Sequence, residues 1–193
     1  MKIGITGSIA CGKSTICRYL LEKGYTVIDT DKLSYILTLK GNLCYNDIVQ
    51  FFGKEILLEN GEIDRKKLGN IVFNDKVKKE KLESIIHPYI RQTIENYNDE
   101  KIVFFEVPLL YEAHMEDLFF KVITIYTSEA MQINRLMARN NMTLKEAFNR
   151  INNQMSLKEK VKRADYVIDN NNTLEESYDQ MENILKGLKQ YEI

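Results

Sequence analysis

The sequence predicts an α/β fold, a mainly parallel sheet with helices on both faces, and three observations predict it. Short apolar runs rich in β-branched and aromatic residues recur along the chain. Segments with helical period separate them, which is the alternation that builds a parallel sheet. A glycine-containing loop ends the first run and opens the first helical segment.

The first run, residues 3–6, is Ile-Gly-Ile-Thr and reads as a strand ending at Thr6. After the loop, Ile16, Leu20 and Leu21 recur at helical spacing. Residues 26–28 read as the second strand. From 31 to 97 the sequence is almost wholly helical in character, with Ile85, Ile86, Tyr89, Ile90 and Ile94 marking one buried stripe. That stretch is too long for a simple crossover and predicts an inserted helical subdomain. Residues 102–105 and 122–126 read as the third and fourth strands, and 166–168 as a shorter fifth. Three helix starts follow the capping-box pattern, a hydroxyl residue with Glu three positions on: Thr143 with Glu146, Ser156 with Glu159, and Thr173 with Glu176. With only two prolines, Pro88 and Pro108, and no repeat or Gly/Ser linker, the chain reads as one domain, 1–193. Its core comprises 1–30, 98–127 and 160–193, with the helical substrate subdomain at about 31–97 and a lid at about 128–158.

A chain of 193 residues, 44% hydrophobic, can bury a core of that kind. With 27 basic and 28 acidic residues the formal charge is −1, so no broad basic field points to nucleic acid and no acidic tail to a basic partner. Small-molecule partners are the expectation. Cys11, Cys17 and Cys44 are odd in number and lack paired spacing, which argues against a disulfide framework and a zinc site and fits a reducing compartment. The N-terminal apolar run is too short for a signal peptide, and no run reaches membrane length. The expected setting is cytoplasmic, without a membrane partner, and the expected state is a monomer.

Gly7-Ser-Ile-Ala-Cys-Gly-Lys-Ser14 has the G-x-x-x-x-G-K-[ST] spacing of a phosphate-cradling loop, between strand and helix as that motif requires. Its chemistry follows from its residue types. Backbone N–H groups along Ala10, Cys11 and Gly12 turn inward toward phosphate oxygens, and the helix beginning with Lys13, Ser14 and Thr15 aims its positive end at them. Gly7 and Gly12 permit conformations or approaches that a side chain would block. Lys13 reaches the β- and γ-phosphates, and the Ser14 hydroxyl serves as a Mg²⁺ ligand. A nucleoside triphosphate with Mg²⁺ is thus the expected ligand.

The loop alone does not name the reaction, since GTPases, ATP-driven machines and small-molecule kinases all carry it. At the second strand's end stands Ile28-Asp-Thr-Asp31. Strand alternation would put Asp29 and Asp31 on one side, at the carboxyl edge where ligands of such sheets bind. A carboxylate there can accept the proton of an attacking hydroxyl or help hold Mg²⁺, and Asp31 is the candidate, with helix capping its competing role. Further on, Arg135 and Arg139 share a helix face ahead of a polar break. Two guanidiniums on a helix-break-helix segment suit a lid that covers the triphosphate and excludes water, although a solvated face paired with acids would carry the same spacing. No Asn-Lys-x-Asp segment for guanine is present, which favours a kinase. Another small-molecule kinase of nucleosides, nucleotides or sugars, and a nucleotide-binding switch protein, are the competing classes.

The loop, Ile28-Asp-Thr-Asp31, Gly61-Glu-Ile-Asp-Arg65 with Leu68 and Val72-Phe73, Leu82-Glu83 with His87-Pro88, Pro108-Leu-Leu-Tyr-Glu112, Gln132 with Arg135 and Arg139, and Ala164-Asp-Tyr-Val-Ile-Asp-Asn170 stand in the order seen in dephospho-CoA kinases. The chain resembles that family over nearly its whole length. The resemblance implies ATP-dependent phosphorylation of the ribose 3′-hydroxyl of dephospho-CoA, the last step of coenzyme A synthesis, on a fold like that of nucleoside monophosphate kinases. It also implies that Asp31 is the base, that Arg139 is the lid arginine with Arg135 a second candidate, and that His87 and Leu109 lie near the acceptor, with Thr6 supporting that side.

Three departures from the family pattern are visible. Ser8, Ala10 and Cys11 stand where the loop usually has Gly, Gly and Ser; Thr30 replaces Ala; and Glu106 stands where many relatives carry Asp. Cys11, at a helix N-terminus beside Lys13, carries the further expectation of a reactive thiol whose modification would block ATP.

Overall fold

In the computed structural model, which describes residues 1–99 and 101–191, five strands form one sheet. They are β1 (Lys2–Thr6), β2 (Thr26–Asp29), β3 (Val103–Glu106), β4 (Lys121–Tyr126) and β5 (Tyr166–Asp169). Their order is β2-β3-β1-β4-β5, with all four pairings parallel. The expected α/β class and all five expected strands are present, shifted by a residue or so at their ends.

Strand alternation distributes the core. Ile3, Ile5, Phe104, Ile123, Ile125 and Ile168 pack on one face against Ile16 and Leu20 of α1 (Lys13–Glu22) and against the C-terminal helix, which contributes Met181, Ile184, Leu185 and Leu188. On the other face Leu110 and Phe119 press over Gly4, where even a methyl group would lie 2.8 Å from Leu110 Cδ1. The lack of a side chain at Gly4 is therefore dictated by the segment that covers it.

The described residues divide into two compact units, 1–29 with 98 onward, and 30–97. The second is helical: α2 (Thr30–Leu37), α3 (Tyr45–Phe52), α4 (Arg65–Asn74) and α5 (Lys76–Asn96). Asp64 and Asp75 cap α4 and α5 by accepting from Lys67 N and Lys78 N. Ile48, Phe52, Ile56, Leu68, Ile90 and Ile94 form its buried interior. Arg65 stacks 3.8 Å over the Tyr35 ring and donates to Tyr35 O and Thr38 Oγ1, joining the start of α4 to α2.

In the first unit the remaining helices are α6 (Glu129–Asn140), α7 (Leu144–Asn152), α8 (Leu157–Arg163) and α9 (Leu174–Lys189). Of the three expected capping boxes, Thr143 and Glu146 close a reciprocal one, which also holds the Glu146 carboxyl below its usual range because it accepts from Thr143. Ser156 and Thr173 each accept from the N–H three residues on. Among the described residues no helix is long and apolar enough to cross a membrane.

Candidate active site

The loop after β1 is shaped by side chains that come from far along the chain. Gln132 Nε2 on α6 donates to Ile9 O at 2.6 Å, Arg135 NH1 donates to Ala10 O and Cys11 O, and Asn170 Nδ2 donates to Cys11 O at 2.8 Å. With successive carbonyls drawn outward, the loop's peptide planes are fixed so that their N–H groups have the opposite sense, the arrangement that makes an anion-binding nest. Gln154 Oε1 accepts from both Ser8 Oγ and Ile9 N, anchoring the other side. Asn170 is itself held, for its Oδ1 accepts from Ser177 Oγ at 3.0 Å.

At the loop's end Gly12 has φ 101°, and α1 starts there with no side-chain cap and no acid in its first turn. The positive end of the helix is thus left for a ligand anion. Lys13 Nζ donates to Gly7 O and Ser8 O at 3.0 and 3.2 Å, so its ammonium lies across the loop mouth. The Ser14 side is exposed and Thr15 half-buried.

Ala10 takes φ 60°, the left-handed region that glycine enters without penalty. That strain costs about 1–2 kcal/mol. Its methyl packs on the cluster of Leu136, Ala147 and Ile151 formed by α6 and α7, which returns up to about 0.8 kcal/mol. A glycine would also add about 0.4–1 kcal/mol of unfolded-chain entropy. These terms nearly cancel, so Ala10→Gly should move the thermal midpoint by no more than about 3 °C in either direction; a scanning fluorimetry melt checks this.

Cys11 departs from expectation. Its side chain is 0% exposed and belongs to the main core, because the loop turns it inward beneath Gly7. The reactive thiol expected from its position beside Lys13 is therefore not on offer. Cys17 and Cys44 are also buried; burial and then the Glu106 carboxylate push the Cys17 thiol far up, and burial with Asp47 pushes Cys44 up to about 11. All three thiols should resist a disulfide reagent in the native protein and react together once denaturant is added, which a thiol titration reads directly.

Two carboxylates meet at the sheet's carboxyl edge: Asp29 and Glu106 are register partners on β2 and β3, and the Glu106 carboxylate is hydrogen-bonded to the Cys17 thiol on α1. The alternation invoked for Asp29 and Asp31 does not occur, since the strand stops at Asp29 and the chain is helical from Thr30. Asp31 is instead an exposed residue in the first turn of α2 and belongs to the helical unit. His87 lies half-buried within α5, where desolvation lowers its pKa against an opposing pull from Glu83 and keeps the ring neutral at pH 7.

Beyond β3, Thr6 is fully buried and donates to Pro108 O, while Leu109 is partly exposed. A second donor to Pro108 O is Lys160 of α8, 0% exposed, at 2.8 Å, and the same ammonium pairs with Glu112 at 3.0 Å. Burial lowers the Lys160 pKa and Glu112 opposes that shift. On α6, Arg135 NH2 also donates to Asn170 O, whereas Arg139 is exposed with its Nε on Asn140 Oδ1. The structure thus brings the loop and Arg135 together and leaves Arg139 on the outer face. Asn141 at φ 51° ends α6 and starts the break before α7.

Sequence reading missed Gln154, Lys160 and Glu112 as participants; Lys160 lies in Leu-Lys-Glu-Lys-Val-Lys-Arg, which has the look of a solvated helix. Glu112 and Asn170 stood inside quoted motifs without a role.

Comparison with known proteins agrees with this geometry. A family model described as dephospho-CoA kinase matches residues 1–176. A dephospho-CoA kinase of Listeria innocua is 44% identical over 185 residues, covering 93% of this chain and 92% of that protein. The solved dephospho-CoA kinase of Campylobacter jejuni superposes with a TM-score of 0.71 at 32% identity, covering 100% of both chains. A Thermus thermophilus crystal structure reaches a TM-score of 0.80 at 30% identity over 97% of each.

Proposed function

The chain belongs to the dephospho-CoA kinase family, and from that premise we propose how its residues carry the reaction. It is a kinase that phosphorylates dephospho-CoA to coenzyme A with ATP as donor. The observation that carries this reading is the loop strapped by Gln132, Arg135, Gln154 and Asn170, a cradle ready for a triphosphate before any ligand arrives. Preorganised donors of this kind cost no rearrangement at the moment of transfer.

In the proposed step the ribose 3′-hydroxyl oxygen forms a bond to the γ-phosphorus as the bond from that phosphorus to the β,γ-bridging oxygen breaks. Asp31 accepts the hydroxyl proton, and ADP leaves with the bridging oxygen. Lys13 swings from Gly7 O and Ser8 O to the phosphate oxygens and follows the charge that develops there. Arg135 holds the loop, and Arg139, on the free face of α6, closes over the transferring group to exclude water. His87 and Leu109 are proposed to contact the acceptor, with Thr6 supporting the Pro108 turn.

Mg²⁺ fits the residues present. Among the described residues no cluster of three or more His, Cys, Asp or Glu could cage a metal alone, and Mg²⁺ typically needs only one or two protein ligands beside phosphate and water. Ser14 is the proposed ligand, with Asp29 and Glu106 able to hold its waters. When bound, the ion neutralises charge on the β- and γ-phosphates. A reducing, cytoplasmic setting, a monomer and small-molecule partners only complete the reading, supported by three unpaired cysteines and the near-neutral charge.

The test is ADP release with Mg²⁺-ATP and dephospho-CoA beside other hydroxyl acceptors, with product mass recorded. One phosphate gained by dephospho-CoA in preference to the others is the expected result. ADP release without an acceptor, or a preference for a different hydroxyl, would overturn it.

A further inference from the structure

We propose that Lys160 is a positioning residue for phosphoryl transfer: fully buried, it locks the exit of the α6–α7 segment to the turn after β3. This rests on the kinase reading above.

The connections run through one junction. Lys160 Nζ donates to Pro108 O at 2.8 Å and to Glu112 Oε2 at 3.0 Å. The other Glu112 oxygen, Oε1, accepts from Met155 N at 2.9 Å, the first backbone stretch after α7. The residue before it, Gln154, holds Ser8 and Ile9 of the phosphate loop. Residues 154 and 155 therefore tie the end of the α6–α7 segment to the nucleotide loop on one side and to the β3 turn on the other. Lys160 is what fixes the second tie, because Glu112 spends one oxygen on each partner.

A charge held at 0% exposure is poor value as a stabilising device, since desolvation consumes most of what the ion pair returns. What a fully buried ammonium does supply is direction: it fixes the Pro108 carbonyl, which Thr6 also donates to, and the Glu112 carboxylate at once. No apolar side chain of that size can do both. Gln132, Arg135 and Asn170 still hold the loop if Lys160 is lost, so ATP binding should largely survive while the segment carrying Arg139 loses its fixed exit.

The experiment uses Lys160→Met, Glu112→Gln and Gln154→Ala in the full chain, assayed well below the melting temperature of each. Lys160→Met keeps length without donors, and Glu112→Gln keeps shape but gives up one of two acceptor oxygens. Both should lower kcat about 10²-fold, the penalty of a misplacement near 1 Å, with the ATP Kd within about threefold of the parent. Combined with Gln154→Ala, the losses in kcat should be clearly less than multiplicative, as for residues acting through one joint. An unchanged kcat per folded molecule with a lowered melting temperature, or fully multiplicative losses, would overturn the proposal. If Lys160→Met fails to fold, Glu112→Gln decides. Absence of dephospho-CoA turnover in the parent would remove the kinase reading instead, a result that the variants cannot produce.

Discussion

Gly12→Ala is expected to abolish turnover and to destabilise the folded chain. The added methyl would lie 2.0 Å from Asn170 Nδ2 and 3.2 Å from Asn170 Cγ, at a backbone φ of 101°. Asn170 has no freedom to retreat. Its Nδ2 donates to Cys11 O, its Oδ1 accepts from Ser177, and its own N–H donates to Tyr126 O at 2.8 Å. Moving the side chain strands a buried amide and leaves the Cys11 carbonyl only the longer bond from Arg135 NH1, which costs about 1–3 kcal/mol. The left-handed backbone adds about 1–2 kcal/mol. A total of about 2–5 kcal/mol corresponds to a fall in thermal midpoint on the order of 10 °C. The catalytic loss should exceed the stability loss, because the carbonyl released from Asn170 sits in the peptide preceding Lys13's neighbour and lets the cradle open. We expect kcat/KM for ATP down by at least about 10²-fold in samples confirmed folded by circular dichroism. Turnover within tenfold of the parent would mean that the strapped loop does not govern transfer.

Asp31→Asn should lower kcat by about 10² to 10⁴-fold, the range of a lost general base, with the ATP Kd nearly unchanged. Asparagine keeps the size and a hydrogen-bonding oxygen at the first turn of α2 while removing proton affinity, so the fold should survive. Asp29→Asn is the necessary companion, since Asp29 stands beside Glu106 at the end of β2. If Asp29→Asn loses kcat and Asp31→Asn retains it, the base is Asp29. Steady-state assays with dephospho-CoA varied at saturating ATP, and a direct nucleotide-binding titration, separate the two effects.

The fold was legible where a single local rule governs. Strands β1 to β5 announce themselves as apolar β-branched runs because both faces of a parallel sheet are covered, and Thr143 with Glu146 announces α7 because capping is a four-residue matter. Legibility failed where distant segments decide. Alternation implied a common side for Asp29 and Asp31, yet the helix begins at Thr30 and cuts the strand short. Position implied a reactive Cys11 thiol, yet that side chain lies in the core beneath the loop whose carbonyls are strapped. Gln154 and Lys160 are polar residues about 150 positions from the loop, and nothing in their neighbourhoods distinguishes them from solvated helix and turn. Asn170, like Glu112 and Gln132, lay inside a recognisable motif, without any local sign of its bond to Cys11.

The central place of β1 has a consequence for how the chain comes into being. Its partners are residues 103–106 on one side and 121–124 on the other, so the first strand made has no partner until about half of the chain has left the ribosome. The helical stretch 30–97 is contiguous and closes on its own neighbours much earlier. The straps arrive late, with Gln132, Gln154 and Asn170 in the final third. At about 5–20 residues per second, the nascent loop waits on the order of 10–30 s for Asn170, and non-local pairing of this kind is also intrinsically slow. The nucleotide cradle is thus completed only late, shortly before the C-terminal helix that closes the core, and a chain cut short anywhere before Asn170 carries the loop without the means to shape it.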